Sequence, residues 1–258
     1  MKPENLDIIN KSFEIQAENF ESRSLNFTKE DYLNYTINSV EPQKEDIMLE
    51  VASGTCICGR SFAPNVKNVV CLDATESMLK VGKKESENQN FNNMIFVKGC
   101  AEELPFLDNS FDIVFSRLAF HHFVDTNKVF AETVRVLKPN GKLVMIDMES
   151  AEESLRETED RIETMRDPSH VKNLSKKEMY ELFEKYNITT EKSETKEITQ
   201  HLTNWMSLTK TPKDVQEKIT ELMKNDIEKG EKTGFYPYYS NGEICFNHRW
   251  VLTLGRKG

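Results

Sequence analysis

Residues 46–56 read Asp46-Ile47-Met48-Leu49-Glu50-Val51-Ala52-Ser53-Gly54-Thr55-Cys56, and this stretch decides the fold. Residues 47–52 are apolar in near-continuous fashion, as in a strand buried on both faces. The strand ends in an acidic residue, small residues and a single glycine, a turn whose backbone can come close to a ligand without a Cβ in the way. Working outward, four more short apolar runs follow at 69–73, 94–97, 111–116 and 143–146. Most are separated by polar, helix-like segments such as 76–87 and 127–137. Doubly apolar strands alternating with helices predict a parallel sheet covered on both sides. Pro139-Asn140-Gly141 stops a helix and turns the chain into the fifth strand.

Flanking segments are helical. Leu6, Ile9, Phe13, Ala17 and Phe20 form one apolar stripe, and Thr28 with Asp31 resembles a capping box before a second helix ending near Val40. Beyond residue 148 the pattern predicts a charged helix over 151–166, a helix from a Ser175/Glu178 capping box to Tyr186, and another opened by Thr211-Pro212 and closed near Gly230. Residues 188–198 and 250–254 are the remaining strand candidates. No repeat or linker interrupts the chain. The expectation is one domain over 1–258, with a helical segment over 1–40, a core over 46–148, and a helical insertion with the last strands over 149–258.

The composition narrows the class of function. The chain has 258 residues, enough for a core that needs no staple. A net charge of −9 argues against nucleic acid, which requires clustered Lys and Arg. No apolar stretch approaches a membrane span, and MKPENLDIINKSFEIQ has no basic segment before an apolar run, so neither membrane insertion nor a secretory leader is expected. Five cysteines, an odd number, with three in or beside predicted strands, fit a reducing cytoplasm. Cys56 and Cys58 lack a second pair at ligand spacing, so no metal is expected.

Asp73 closes the second strand 19 residues after Gly54. An acidic side chain at that distance is placed to accept hydrogen bonds from ribose hydroxyls; an N-cap for the helix that follows is the other reading, and the two are compatible. A dinucleotide-dependent oxidoreductase would carry a full G-x-G-x-x-G turn, whereas the segment here, ASGTCI, has one glycine. Acidic Glu50, Asp73 and Glu102 at the strand ends suit a cationic sulfonium better than a dianion. Arg60, which can meet a phosphate, keeps the oxidoreductase alternative open.

Three further segments carry a resemblance. Gly99-Cys100-Ala101-Glu102-Glu103-Leu104-Pro105-Phe106 with Asp108-Asn109-Ser110-Phe111-Asp112, Asp73-Ala74-Thr75-Glu76-Ser77-Met78-Leu79, and Arg135-Val136-Leu137-Lys138-Pro139-Asn140-Gly141-Lys142-Leu143 resemble, in order and spacing over roughly 46–148, the ubiquinone/menaquinone-biosynthesis-type methyltransferases. The resemblance implies a class I fold, a Rossmann-like, mostly parallel seven-stranded sheet with its last strand antiparallel and helices on both faces. It also implies an N-terminal helical lid, a helical insertion after the fifth strand, and S-adenosyl-L-methionine at the sheet's C-terminal edge. By position, Ala52, Gly54 and Thr55 lie along its methionine part and Asp73 at the ribose, with Glu50, Ser53 and Ala74 as further cofactor-binding candidates. Met78 packs near the adenine, Cys100 and Ala101 border it, Glu102 is the candidate to supply the adenine hydrogen bond in place of Cys100, and Ser116 follows the fourth strand. Two positions depart from the family: its first and third loop glycines are here Ala52 and Cys56, and Cys100 stands where an acidic or amide residue meets the adenine amine. The altered loop leaves a non-catalytic S-adenosylmethionine-binding protein as a further alternative. Met165-Arg166-Asp167-Pro168-Ser169-His170 resembles members of the group whose acceptor is unassigned.

His121-His122 follow the fourth strand on the ligand side, where a base reaches an acceptor; the other reading is a loop pair with no chemical role. Adjacent side chains usually point apart, so one of the two at most is expected to face the pocket. His170, His201 and His248 stand alone. Phe13, Phe20, Phe27, Trp205, Met206, Tyr236, Tyr238 and Tyr239 are candidates for the walls of an acceptor pocket. The expected activity is methyl transfer to a small molecule.

Overall fold

The computed structural model describes residues 4–17, 20–21 and 29–258. Its centre is an eight-stranded sheet in the order β3-β2-β1-β4-β5-β8-β6, with β7 paired to β8. The strands are β1 (Ile47–Val51), β2 (Asn68–Asp73), β3 (Met94–Lys98), β4 (Phe111–Arg117), β5 (Leu137–Met148), β6 (Ile188–His201), β7 (Tyr238–Ser240) and β8 (Glu243–Lys257). Pairings among β1 to β5 are all parallel, and β8 runs antiparallel to both β5 and β6. The expected seven strands are therefore present, and the eighth, β7, is a three-residue hairpin partner that adds an edge to β8.

Period-two alternation assigns the strand residues to two cores. Leu49, Val51, Val70, Leu72, Val114 and Met145 pack on one face with Val129, Phe130, Met179 and Phe183. Those partners belong to helices α5 (Thr126–Val136) and α7 (Lys176–Lys185). Met48, Val69, Cys71, Ile113, Phe115 and Val144 pack on the other face with Val40, Phe62 and Leu79. These come from α2 (Glu30–Val40), α3 (Ile57–Phe62) and α4 (Glu76–Asn88). Full burial of each such side chain contributes roughly 1.5–3 kcal/mol. Helix α1 is Leu6–Gln16, and the insertion contributes α6 (Glu153–Arg166), α8 (Leu202–Leu208) and α9 (Lys213–Lys229). A smaller third core of Ile162, Trp205, Met206, Ile219, Met223, Phe235 and Phe246 lies among them.

Several boundaries differ from the sequence expectation. Ser175 and Glu178 form the expected capping box, but Thr211 does not cap α9. Pro212 takes the N-cap position, and the Thr211 hydroxyl donates to the Arg166 carbonyl instead. Residues 202–208 form a helix that the sequence pattern did not mark; it is only seven residues long, and its Leu202, Trp205 and Met206 are buried in the small third core. The fifth strand begins already at Leu137, absorbing Pro139-Asn140-Gly141 through a register irregularity and a left-handed Asn140 (φ 62°). Thr28 and Phe27 lie outside the described residues. Among the described residues no helix is long and apolar enough to cross a membrane.

Strand order reverses between β1 and β4, so their C-terminal ends part and open a crevice. Helix α1 lies over it. Asn5 Nδ2 donates to the His122 carbonyl (3.0 Å), and the Thr75 hydroxyl meets Asn10 Oδ1 (3.2 Å). Ser12 Oγ (2.7 Å) and Gln16 Nε2 (3.1 Å) donate to the Asp167 carboxylate.

Candidate active site

A cavity of about 560 Å³ occupies the crevice. One part is built by the turn after β1. Ala52, Gly54 and Cys56 all have left-handed backbones (φ 52°, 53° and 59°). The two family glycines replaced by Ala and Cys thus keep a glycine-type conformation, at roughly 1–2 kcal/mol of backbone strain each. No atom lies within 4 Å of where a Cβ on Gly54 would stand, so the backbone there faces open space.

Asp73 locks this turn. Its Oδ2 accepts from Gly54 N (2.7 Å) and its Oδ1 from Thr75 N (2.8 Å), so the carboxylate joins the β1 turn to the start of α4. Burial raises its pKa, against the pull of these backbone donors. Glu50 is more deeply engaged: burial pushes it up to about 7, while Gly59 N donates to its Oε2 (2.9 Å). A Cβ on Gly59 would sit 2.7 Å from that oxygen, so α3 reaches Glu50 because residue 59 is glycine. Ser53, Thr55, Ala74, Cys100, Ala101 and Glu102 complete this half of the cavity wall. Met78 and Ser116 do not line it. Met78 is fully buried in α4, and the Ser116 hydroxyl donates to the Val51 carbonyl (3.1 Å). Arg60 is also turned away, donating to the Thr55 carbonyl (2.5 Å) and pairing with Glu21 (2.7 Å).

The other half is built around the histidine pair. A single 3-10 turn, Phe120–His122, places both rings on the cavity wall with centroids 4.1 Å apart. The expectation that neighbours diverge fails because this turn is clamped from both sides. Asp147, at the end of β5, accepts from Ala119 N (3.0 Å), Phe120 N (2.7 Å) and Met148 N (2.8 Å), and meets His121 Nδ1 at 2.6 Å. Burial disfavours protonation of His121, but the Asp147 charge outweighs it and raises its pKa. Burial also works against the Asp147 carboxylate, and the same pairing holds it below the usual range. His122 behaves oppositely: burial, with His121 adding to it, pushes it down to about 3. Its Nδ1 lies 3.0 Å from the Ser169 carbonyl, which only accepts, so Nδ1 carries the proton and Nε2 the lone pair.

Arg166, Asp167, Trp205, His201, His248 and Trp250 continue the wall. Phe13 and Phe20 line it as well, Phe13 edge-on to His122 at 5.1 Å. Met206 is buried in the small core instead, and Tyr236, Tyr238 and Tyr239 are exposed. His170 sits behind His121 (5.7 Å) and pairs with Asp160 (2.8 Å). Asp147 and Trp250 carried no sequence signal, since neither belongs to a spaced motif. Arg166, Asp167 and Ser169 lay in a segment that stood out by resemblance alone.

The sheet order, the crevice and the acidic turn define a Rossmann-like methyltransferase fold. A methyltransferase-domain family model matches residues 49–145. The Bacillus subtilis methyltransferase YcgJ is 29% identical over 233 residues, covering 90% of this chain and 92% of that protein. The Rickettsia typhi ubiquinone/menaquinone biosynthesis C-methyltransferase UbiE is 36% identical over 121 residues, covering 44% of this chain and 49% of its own length. The crystal structure of Bacillus subtilis YcgJ superposes with a TM-score of 0.82 at 28% identity, covering 89% of this chain and 99% of that one. The chain belongs to the class I S-adenosylmethionine-dependent methyltransferases. The oxidoreductase alternative falls with this assignment, and Arg60, bound to Glu21, is turned from the cavity.

The residues present fit the cofactor. Open space before Gly54, a buried carboxylate beside it and the acidic wall match a ligand with a cationic centre and vicinal hydroxyls.

Proposed function

We propose that this enzyme methylates a small-molecule acceptor at an atom that arrives protonated, with His121 as general base and Asp147 holding it. The observation that carries this reading is a single cavity walled at one side by the Gly54–Asp73 turn and at the other by His121 backed by Asp147. When bound, S-adenosylmethionine supplies an electrophilic methyl carbon. Gly54, Ser53 and Thr55 would lie along its methionine part, Asp73 would accept from the ribose hydroxyls, and Cys100, Ala101 and Glu102 would border the adenine. Asp147 keeps the His121 proton on Nδ1, which leaves Nε2 to take a proton from the acceptor. His122 stays neutral and offers Nε2 as a hydrogen-bond acceptor. Positioning contributes independently of proton transfer, roughly 7–11 kcal/mol of the barrier. The N-terminal helices α1 and α2 act as a lid over this site, 46–148 as the cofactor-binding core, and 149–258 as the helical insertion and last strands. Cys56, Cys58, Cys71, Cys100 and Cys245 are joined by no disulfide, which supports a reducing, cytoplasmic setting.

The test has two parts. Calorimetry should show S-adenosylhomocysteine binding, and a labelled-methyl assay on fractionated extract of the source cell, read by mass spectrometry, should show one labelled small molecule. Binding without any labelled product from any fraction would favour the non-catalytic alternative.

A further inference from the structure

Arg166 ends α6, is 8% exposed, and lines the histidine side of the cavity. Its guanidinium lies over the Trp205 ring at 4.6 Å, which fixes the plane of the fork and leaves its edge for partners. Those partners are few. Nη1 reaches the Trp205 carbonyl only at 3.5 Å, Nη2 stands 3.3 Å from Glu163, and Nε is buried with no hydrogen-bond partner. A guanidinium has five N–H donors, and buried donors in folded proteins are normally satisfied. Asp167, next in the chain, has no such spare capacity, being filled by Ser12, Gln16 and Ser169. Arg166 is also near enough to His121 for its charge to oppose protonation there.

We propose that Arg166 is the specificity-determining residue of the acceptor subsite, and that the acceptor is a small organic anion whose carboxylate or phosphate meets this guanidinium. Planar, bidentate recognition of such groups is what a fixed arginine fork does best. Anchored there, the rest of the acceptor extends along the wall toward His121. Glu163, fully buried and 3.3 Å behind the guanidinium, holds the arginine in place when no anion is bound. This inference rests on the methyltransferase reading of the cavity.

The test uses the whole protein loaded with S-adenosylhomocysteine and three probes: benzoate, phenyl phosphate and the neutral isostere benzamide. Binding is followed by calorimetry and by the Arg166 Nε–Hε resonance. The expected result is at least one anion binding ten-fold or more tighter than benzamide and shifting that resonance downfield; which anion does so separates carboxylate from phosphate. In the double variant E163Q/R166Q, which removes both charges together, the preference should fall below two-fold while S-adenosylhomocysteine affinity is kept. If that variant does not fold, R166K with the wild-type resonance serves: lysine keeps the charge, and the preference should drop several-fold with loss of the fork. Equal binding of anions and amide to wild type, or a preference that survives these substitutions, overturns the proposal. Failure of S-adenosylhomocysteine itself to bind would instead overturn the function on which it rests.

Discussion

Replacing Asp73 with Asn tests the cofactor site and the turn together, and the two effects separate in measurement. In the wild type one carboxylate oxygen accepts from Gly54 N and the other from Thr75 N, at 2.7 and 2.8 Å. Asparagine keeps one acceptor and aims an amide N–H at the second backbone N–H. One buried donor then loses its partner, which costs about 1–3 kcal/mol. For a chain of this size that lowers the melting temperature of the apo protein by roughly 2–12 °C. Loss of charge toward the ribose hydroxyls removes about another 1.5–3 kcal/mol from cofactor binding. S-adenosylhomocysteine affinity should therefore fall roughly 10- to 150-fold. Titration calorimetry at 15 °C, well below either melting point, isolates the binding effect from unfolding. If the melting temperature falls while affinity stays within two-fold of wild type, Asp73 only ties the turn together and the ribose assignment is wrong.

Glu50 should make stability pH-dependent. With a native pKa near 7 against 4.5, its stabilising share is complete below pH 4.5 and is lost as pH rises through 7, about 3 kcal/mol in all; denaturant titrations should show Glu50→Gln flattening that decline, and parallel wild-type and variant curves would contradict it. Asp167→Ala frees Ser12 and Gln16, so amide exchange in α1 should quicken roughly 10-fold by mass spectrometry, about 1.4 kcal/mol of local opening; unchanged protection would mean that other contacts hold the helix. Once an acceptor is in hand, His121→Gln should lower kcat by about 10²-fold or more with cofactor affinity intact, and the wild-type rate should rise through a pKa above 6.5 because Asp147 raises it. His122→Gln should preserve that limb, and a limb that vanishes with His122 instead would reverse the assignment.

The inner strands of the sheet were legible because they are buried on both faces and so announce themselves without alternation, as in β2, where Val69 to Asp73 are all buried. The proposed cofactor side was readable for a related reason: its residues come from turns at fixed spacing along consecutive units, Gly54 and Asp73 above all. The acceptor side is assembled differently. Asp147 meets His121 across 26 residues, Ser169 meets His122 across 47, and Asp167 meets Ser12 across 155. Such partners share no local period, and a buried aspartate at the end of β5 looks like any other strand terminus until the fold brings it to a histidine. The glycine pattern left one point for the structure. Ala52 and Cys56 suggested a turn of altered shape, but the backbone adopts the left-handed conformation with those side chains in place.

One short segment ties the acceptor side to the N-terminal helix. Arg166 lies on the cavity wall over Trp205, Asp167 binds two residues of α1, the Ser169 carbonyl fixes the tautomer of His122, and His170 backs His121. Ser169 and Asp167 are themselves joined, the hydroxyl donating to the carboxylate at 2.6 Å. A ligand that shifts Arg166 therefore acts on a segment whose next residue holds the proposed lid. Asn5, at the head of α1, in turn holds the His122 carbonyl, so the helix and the histidine turn are connected twice, once directly and once through Asp167 and Ser169. The seat of the helix and the position of the histidine turn are therefore not independent, because the same hydrogen bonds join both to residues 167–169.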